Sequence, residues 1–221
     1  MNYENLILKT TRDGTNTIFD STTGEHYHSI YGAHKESQHI FITNGLNYCY
    51  KKNIKVFEMG FGTGLNAYLS MIEAKKKDKN IVFHSIELNP LSNDLTQMLN
   101  YAEIIEPIFT EYFYKLHECR WNEEIEITKG FRLKKISGSI LNISLTDKYD
   151  VVFYDAFSPE KQPELWKEKI FEKIINSMND EGILTTYCVK GTVKRALKAV
   201  GFKVEILPGP PGKRHMIRAV K

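Results

Sequence analysis

The chain has 221 residues, of which 42% are hydrophobic, so it can build one large domain with a sizeable core and is not globally disordered. The formal net charge of +3 permits a nucleic-acid partner without requiring one. No apolar run reaches the ~18 residues of a membrane span, no signal peptide opens the chain, and the three cysteines form no zinc-binding pair, so we expect a cytoplasmic protein.

The first 52 residues precede the first predicted core strand and are expected to form an N-terminal extension. Residues 5–20 predict two short strands joined by a turn. Residues 33–46 have the features of a helix, which ends or is interrupted at Gly45. Because the extension lies before the core, we expect it to cover a ligand cleft, and the rest of the chain, 53–221, to form the main domain.

Several polar residues of this extension are candidate site residues. Glu36 either faces the cleft or is a solvated helix charge, and both interpretations stay open. The spacing of the histidines in the extension fits no metal-ligand pattern, so no metal is predicted. These histidines are His26, His28, His34 and His39.

The segment from Ile54 to Gly64, IKVFEMGFGTG, predicts a buried strand, a glycine turn and the start of a helix. In the dinucleotide fingerprint the third glycine comes five residues after the first, whereas here it comes four after, at Gly64. Glu58 before the turn would repel a pyrophosphate but suits a ligand with a cationic amino group. The pattern E-x-G-x-G-x-G resembles motif I of class I S-adenosylmethionine methyltransferases. The alternative is a glycine turn that only closes a strand onto a helix.

The next elements alternate between strand and helix. Residues 81–87 predict the second core strand, and its last residue, Glu87, can accept hydrogen bonds from two ribose hydroxyls. Residues 103–125 are aromatic-rich and are predicted to be irregular; they either stack on RNA bases or form a satellite core, and the core interpretation is favoured. Residues 125–137 predict a hairpin whose second half is the third core strand, with Ser139 just beyond its end.

The C-terminal third completes the predicted sheet. Two further core strands, a basic helix and a closing pair of strands are expected in residues 149–221. In parallel sheets ligands bind at the carboxyl ends of the strands, where Glu87, Ser139 and Asp155 are predicted to lie.

Residues 155–166, DAFSPEKQPELW, resemble the methyltransferase domain of the MnmC family, which has D-[GA]-F-[AS]-P-x-K-x-P-x-[ML]-W after its fourth strand. The glycine motif GFGTGLN at 60–66 and G-x-x-x-K-R-x-M at 209–216 also match, and the likeness spans roughly residues 10–221. One departure is Ser139, where family members often have Asp near the adenine. Bifunctional members continue into a flavin-dependent oxidase domain, and this chain resembles the stand-alone form.

This resemblance implies a class I S-adenosylmethionine methyltransferase fold, Rossmann-like α/β, with a seven-stranded, mostly parallel sheet and an antiparallel last strand. The implied reaction moves a methyl group from S-adenosylmethionine to the aminomethyl nitrogen of a modified wobble uridine in tRNA. The implied partners are a tRNA anticodon stem-loop and the upstream enzymes that make the aminomethyl precursor. The alternatives are methylation of a small-molecule amine, a non-catalytic RNA-binding module on the same fold, and a nicotinamide-dependent oxidoreductase, which the glycine spacing disfavours.

The resemblance and the strand-end positions together imply the site residues. With an ordinary pKa of about 3.9, Asp155 is too weak a base for an alkylamine, so we expect it to orient the amine and to stabilise its developing charge. The expected cofactor-binding residues are Glu58, Gly60, Phe61, Gly62, Thr63, Gly64, Glu87, Ser139 and Asp155. The expected substrate-binding residues are Phe157, Pro159, Lys161, Glu36, Lys213 and Arg214. Basic residues that either follow the RNA backbone or are ordinary solvated charges are Lys129, Arg132, Lys134, Lys135, Lys194, Arg195, Lys198, Lys213 and Arg214.

Overall fold

The structure, a computed structural model, describes residues 5–221. Within those residues the strands are β1 Leu6–Thr10, β2 Asn16–Asp20, β3 Glu25–His26, β4 Asn53–Met59, β5 Asn80–Glu87, β6 Glu124–Thr128, β7 Phe131–Ser137, β8 Tyr149–Tyr154, β9 Met178–Thr186, β10 Lys203–Pro208 and β11 His215–Val220. The α-helices are α1 Ala33–Ser37, α2 Leu65–Lys76, α3 Asn93–Gln97, α4 Tyr101–Ile105, α5 Thr110–Glu118, α6 Glu168–Asn176 and α7 Gly191–Ala199. A π-helix, Gln38–Thr43, continues α1.

The main sheet has the strand order β10-β11-β9-β8-β4-β5-β7-β6. Strands β7, β5, β4, β8 and β9 are parallel, and the last strand, β11, is antiparallel between β9 and β10. The predicted fold class is therefore confirmed. The described sheet has eight strands where seven were predicted, because β6, the first half of the predicted hairpin, also pairs with β7 along the edge.

The central strands are apolar on both faces because helices cover both sides of the sheet. In β8, Val151 and Phe153 belong to the hydrophobic cluster that contains α2 and α5. Val152 and Tyr154, with the opposite orientation, belong to the cluster that contains α6 and α7. The apolar run VVFY at residues 151–154 thus belongs to a strand that is covered on both faces.

The aromatic-rich segment 103–125 was predicted to be irregular, and that prediction is wrong. Helix α4 ends inside the segment and helix α5 lies wholly within it. Phe113 and Leu116 of α5 are three residues apart and therefore lie on the same face of the helix. Both side chains are fully buried in the core cluster. The core interpretation of this segment is confirmed for these two side chains.

The N-terminal extension forms a separate small sheet, β1-β2-β3, followed by α1 and the π-helix. Its residues share the core cluster of the main sheet: Ile18 is 0% exposed, and the rings of Phe41 and Phe153 lie 5.2 Å apart. The boundary between 1–52 and 53–221 stays a prediction, and residues 1–4 of the extension lie outside the described residues. Among residues 5–221, no helix has the length and apolar character needed to cross a membrane.

Candidate active site

The glycine turn after β4 leaves the floor of the site without side chains. Gly60, Gly62 and Gly64 all have positive φ angles, 91°, 49° and 72°, which favour glycine. A Cβ atom on Gly60 would lie 3.0 Å from the backbone oxygen of Asp155, so only glycine lets the ends of β4 and β8 approach this closely. Strand β4 lies in the middle of the sheet, with β5 and β7 on one side and β8 and β9 on the other. The order in which the strands are added reverses at β4, so the glycine turn lies at the topological switch point.

A cavity of about 850 Å³ opens at this edge of the sheet. It is bounded by the glycine turn, the ends of β5 and β8 and the N-terminal extension. The expected site residues that line it are Glu36, Gly60, Phe61, Gly62, Thr63, Glu87, Ser139, Asp155, Phe157 and Lys213. The expected site residues that are not among its lining are Glu58, Gly64, Pro159, Lys161 and Arg214.

Asp155 follows β8 directly, and its carboxyl lies against the cavity. Its Oδ2 accepts a hydrogen bond of 2.9 Å from Nδ2 of Asn66, in the first turn of α2. Burial, and then the charge of Glu36, raise the pKa of Asp155 to about 7, although Asn66 and the charge of Lys213 act in the opposite direction. The ordinary pKa expected for Asp155 from the sequence is therefore corrected upward, because the carboxyl is desolvated.

Glu58 lies beneath the cavity instead of in it. The side chain is 0% exposed, and its Oε2 accepts a 2.5 Å hydrogen bond from Ser85 Oγ of the neighbouring strand β5. Burial raises the pKa of this carboxyl well above its usual range, so the uncharged form is favoured. The expected contact between a charged Glu58 and a ligand amino group is therefore corrected: the placement suits an internal support of the glycine turn.

Glu87 ends β5 and faces the cavity as expected from its position. Its Oε2 accepts the Gly62 N–H at 3.0 Å and its Oε1 accepts the Asn89 N–H at 2.8 Å. A carboxylate has about four lone-pair sites, so two acceptor positions are left for ligand hydroxyls. Ser139 also lines the cavity, and its Oγ accepts a 3.2 Å hydrogen bond from the Leu141 N–H.

The loop after Asp155 is fixed from two directions. Trp166 Nε1 donates a 2.9 Å hydrogen bond to the Phe157 carbonyl, and the Glu25 carboxylate accepts hydrogen bonds from the N–H and Oγ of Ser158. The Phe157 ring meets Tyr27 edge to face with centroids 5.2 Å apart. The two rings therefore form an aromatic wall beside Asp155.

Glu36 and Lys213 meet across the cavity from opposite ends of the chain. The Glu36 carboxylate is paired with the Lys213 ammonium and also accepts a 2.7 Å hydrogen bond from the Ser29 N–H. Lys213 Nζ lies 4.8 Å from the centroid of the Tyr187 ring. The alternative of a solvated Glu36 is excluded because the residue is 6% exposed.

Sequence reasoning missed several side chains that line the cavity. Asn66 lies in the glycine motif GFGTGLN and Tyr187 directly follows β9, and neither is among the expected site residues. His28 fits no metal-ligand pattern, but its Nε2 lies 2.6 Å from Thr63 Oγ1 in the glycine turn. Burial lowers the pKa of His28 to about 4, so the ring is neutral at pH 7. Within residues 5–221 no group of three or more His, Cys, Asp or Glu side chains is arranged to hold a metal ion.

The basic residues divide between the two ends of the sheet. Arg132 pairs with Val82 in β5, five residues or about 16 Å along the strand from the level of Glu87. Lys135 is 1% exposed and donates to the His117 carbonyl, so both expected alternatives, an RNA contact and a solvated charge, are wrong for this residue. Helix α7, which starts soon after the cavity residue Tyr187, carries the exposed Arg195 at the cavity end.

Comparisons with known proteins extend these observations. A family model described as S-adenosyl-L-methionine-dependent methyltransferase matches residues 100–221. A bifunctional protein MnmC of Burkholderia thailandensis, for tRNA 5-methylaminomethyl-2-thiouridine biosynthesis, is 28% identical over 223 residues, which are 91% of this chain and 33% of the relative. Its counterpart in Leptospira borgpetersenii is 30% identical over 200 residues, 83% of this chain and 30% of the relative. The chain thus spans about a third of the length of these relatives.

Solved structures agree. The crystal structure of MNMC2 from Aquifex aeolicus matches with a TM-score of 0.77 and 26% identity, over 97% of this chain and 69% of that one. Spermidine synthase from Thermotoga maritima, at 11% identity and a TM-score of 0.62 over 97% of this chain and 68% of that one, shares the fold alone. The resemblance to the MnmC family is confirmed, and since the family model covers more than half of the chain, the chain belongs to the S-adenosyl-L-methionine-dependent methyltransferases.

Proposed function

We propose that this methyltransferase transfers a methyl group from S-adenosylmethionine to the aminomethyl nitrogen of 5-aminomethyl-2-thiouridine at the tRNA wobble position. The observation that carries the proposal is the Asp155 carboxyl, held by Asn66 at the cavity edge of the switch point, in a chain that resembles MnmC over most of its length. A cytoplasmic location and an upstream enzyme that supplies the aminomethyl group are parts of the same proposal.

The cavity residues fit S-adenosylmethionine, which supplies an electrophilic methyl group. The glycine turn offers backbone without side chains, and the two free acceptor positions of Glu87 suit a ribose diol. Asn66 lines the cavity, and its amide also interacts with the buried Glu58 carboxyl beneath the turn. Ser139 remains the proposed neighbour of the adenine.

Asp155 has two proposed tasks. It accepts a hydrogen bond from the substrate amine, and it takes the amine proton. An alkylamine has a pKa of about 10.4, so proton transfer to an ordinary Asp costs about 9 kcal/mol, whereas transfer to a carboxyl with a pKa of about 7 costs about 5 kcal/mol. The raised pKa makes proton transfer to Asp155 accessible, whereas an Asp with an ordinary pKa is expected only to orient the amine and stabilise its charge.

The aromatic wall of Phe157 and Tyr27 is the proposed support for the uracil ring. An unstacked base gains roughly 1–3 kcal/mol by stacking on an aromatic side chain. Because the wall is fixed through the Phe157 backbone, the ring is positioned before the substrate arrives. Positioning of the nitrogen in line with the methyl group is the main expected source of acceleration.

The tRNA anticodon stem is proposed to cross the face that carries α7 and the loop before β11. Arg195 and Arg214 are exposed at the cavity end of the molecule, and Lys161 lies beside Gly24 at the cavity margin. The basic residues of the hairpin Lys129–Arg132 lie at the other end of the sheet and are not included in this surface.

The test is methyl transfer by the purified chain with radiolabelled S-adenosylmethionine and tRNA from cells that lack the modification, followed by nucleoside analysis. We expect label in 5-methylaminomethyl-2-thiouridine. Tests with the free 5-aminomethyl nucleoside distinguish a small-molecule methyltransferase, which would label the nucleoside as fast as the tRNA. Binding of S-adenosylmethionine without any transfer to tRNA would refute the proposed substrate.

A further inference from the structure

Among the described residues that line the cavity, Lys213 is the one lysine or arginine. The Lys213 ammonium is paired with the Glu36 carboxylate and lies 4.8 Å from the centroid of the Tyr187 ring. The Asp155 carboxyl lines the same cavity. One carboxylate and one aromatic face therefore contact the ammonium group, and a second carboxyl group lies in the same cavity.

These partners are fixed independently of Lys213. The second oxygen of Glu36 accepts the Ser29 N–H at 2.7 Å, and Glu36 is 6% exposed. Tyr187 donates a 2.8 Å hydrogen bond from its hydroxyl to the Ala156 carbonyl, which orients the ring. A buried carboxylate and an oriented aromatic face form an environment that is selective for a cation, whichever molecule supplies it.

Lys213 reaches this position from a loop and not from the sheet. The loop between β10 and β11 contains Gly212, whose φ is 84° and whose position leaves no room for a Cβ, because one would lie 2.2 Å from the Tyr31 ring. His39 Nε2 lies 2.9 Å from the Pro208 carbonyl at the start of the loop. The N-terminal extension thus holds the loop over the cavity, while the long lysine side chain can leave with little backbone change.

The charge balance decides what happens when an amine substrate binds. An alkylamine with a pKa of about 10.4 arrives almost entirely as a cation at neutral pH. A second ammonium beside Lys213 would be repelled, since like charges at ~4 Å cost several kcal/mol at the effective dielectric of a protein site. Removing Lys213 without a replacement would leave the buried Glu36 unpaired. Exchange of one ammonium for the other avoids both costs.

We propose that Glu36, Asp155 and the Tyr187 ring form a subsite for an alkylammonium group, and that the Lys213 ammonium occupies this subsite as a placeholder which the substrate ammonium displaces. This inference rests on the proposed function for the identity of the substrate, an aminomethyl group. It revises the sequence-based assignment of Lys213 as a substrate contact and adds Tyr187, which that assignment did not contain. The ligand class is a primary alkylammonium ion.

The test uses ethylammonium chloride as the probe, titrated by NMR at an ionic strength held constant with sodium chloride. Lys213→Met keeps the length and apolar stem of the side chain but removes the charge, and we expect it to bind ethylammonium at least 10-fold more tightly than the parent. Lys213→Gln, which still donates to Glu36, is the second variant and should show the same direction if the Met variant folds poorly. Lys190→Met is the matched control, because Lys190 pairs with Glu160 and does not line the cavity.

The outcomes separate the alternatives. Lys190→Met should bind ethylammonium like the parent, and adding Glu36→Gln to Lys213→Met should abolish the gain. Ethylammonium binding by both Lys213 variants that is no tighter than in the parent would overturn the inference. Because this titration uses no tRNA, a gain in Lys213→Met together with absence of tRNA methylation by the parent would refute the proposed substrate and leave the subsite standing.

Discussion

Relative to the parent, the Asp155→Asn variant should become more stable as the pH rises, although the substitution removes a residue of the active site. The folded-state pKa of about 7 lies above the ordinary 3.8, so the folded protein holds a proton that the unfolded chain has released between these values. Folding stability is therefore lost as the pH rises from 3.8 to 7. About three pKa units at about 1.4 kcal/mol each give a total loss of about 4 kcal/mol, and Asn, which does not titrate, avoids it.

The assay is urea unfolding of parent and variant at several pH values from 5 to 8. The difference in the free energy of unfolding should shift by about 2–3 kcal/mol in favour of the variant across this window. Asp150→Asn is the control, because hydrogen bonds from Lys51, the Lys55 N–H and Asn179 outweigh burial and lower the pKa of Asp150. The stability that Asp150 contributes is fully present above the ordinary pKa of 3.8 and is lost only as the pH falls below it. The stability difference between Asp150→Asn and the parent should therefore be constant between pH 5 and 8.

A difference in the free energy of unfolding between Asp155→Asn and the parent that changes by less than about 0.5 kcal/mol from pH 5 to 8 would refute the raised pKa.

The same variant tests the proposed proton acceptor. In the parent, kcat/KM should rise with pH through a limb near 7, and the variant should lose this limb while it keeps some activity, since the amide oxygen still accepts a hydrogen bond.

Three further predictions concern the cofactor, the turn and the RNA. Glu87→Ala should weaken S-adenosylmethionine binding by about 1.5–3 kcal/mol in calorimetry, and unchanged affinity would remove the ribose assignment. Gly60→Ala should destabilise the protein more than Gly14→Ala, because both glycines have positive φ but only a Cβ on Gly60 would lie 3.0 Å from a backbone atom. Equal urea midpoints of the two variants would show that this close approach does not affect stability. Arg195→Ala should lower the salt slope of tRNA binding by about 0.7–0.9, whereas Lys129→Ala at the other end of the sheet should leave it unchanged; the reverse result would move the RNA surface.

The features that could be predicted from the sequence are those that depend on residues adjacent to one another in the chain. The run YDVVFYD predicted a core strand with a carboxyl at its end, and both are present at β8 and Asp155. The features that could not be predicted depend on contacts between distant segments. Glu58 is buried because Ser85 of the adjacent strand is there to donate to it, and Lys135 is buried because α5 offers the His117 carbonyl. No local pattern separates these charges from solvated ones.

The pairing of His28 with Thr63 has a consequence for local opening of the chain. The ring Nε2 of His28 lies 2.6 Å from Thr63 Oγ1 in the glycine turn. The backbone N–H of His28 donates a 3.0 Å hydrogen bond to Thr17 Oγ1 in β2. Order in the turn and order in the small sheet are thereby linked in a single cooperative unit. A ligand that orders the glycine turn is therefore expected to slow amide hydrogen exchange in β2 and at His28, although β2 belongs to a sheet separate from the main one.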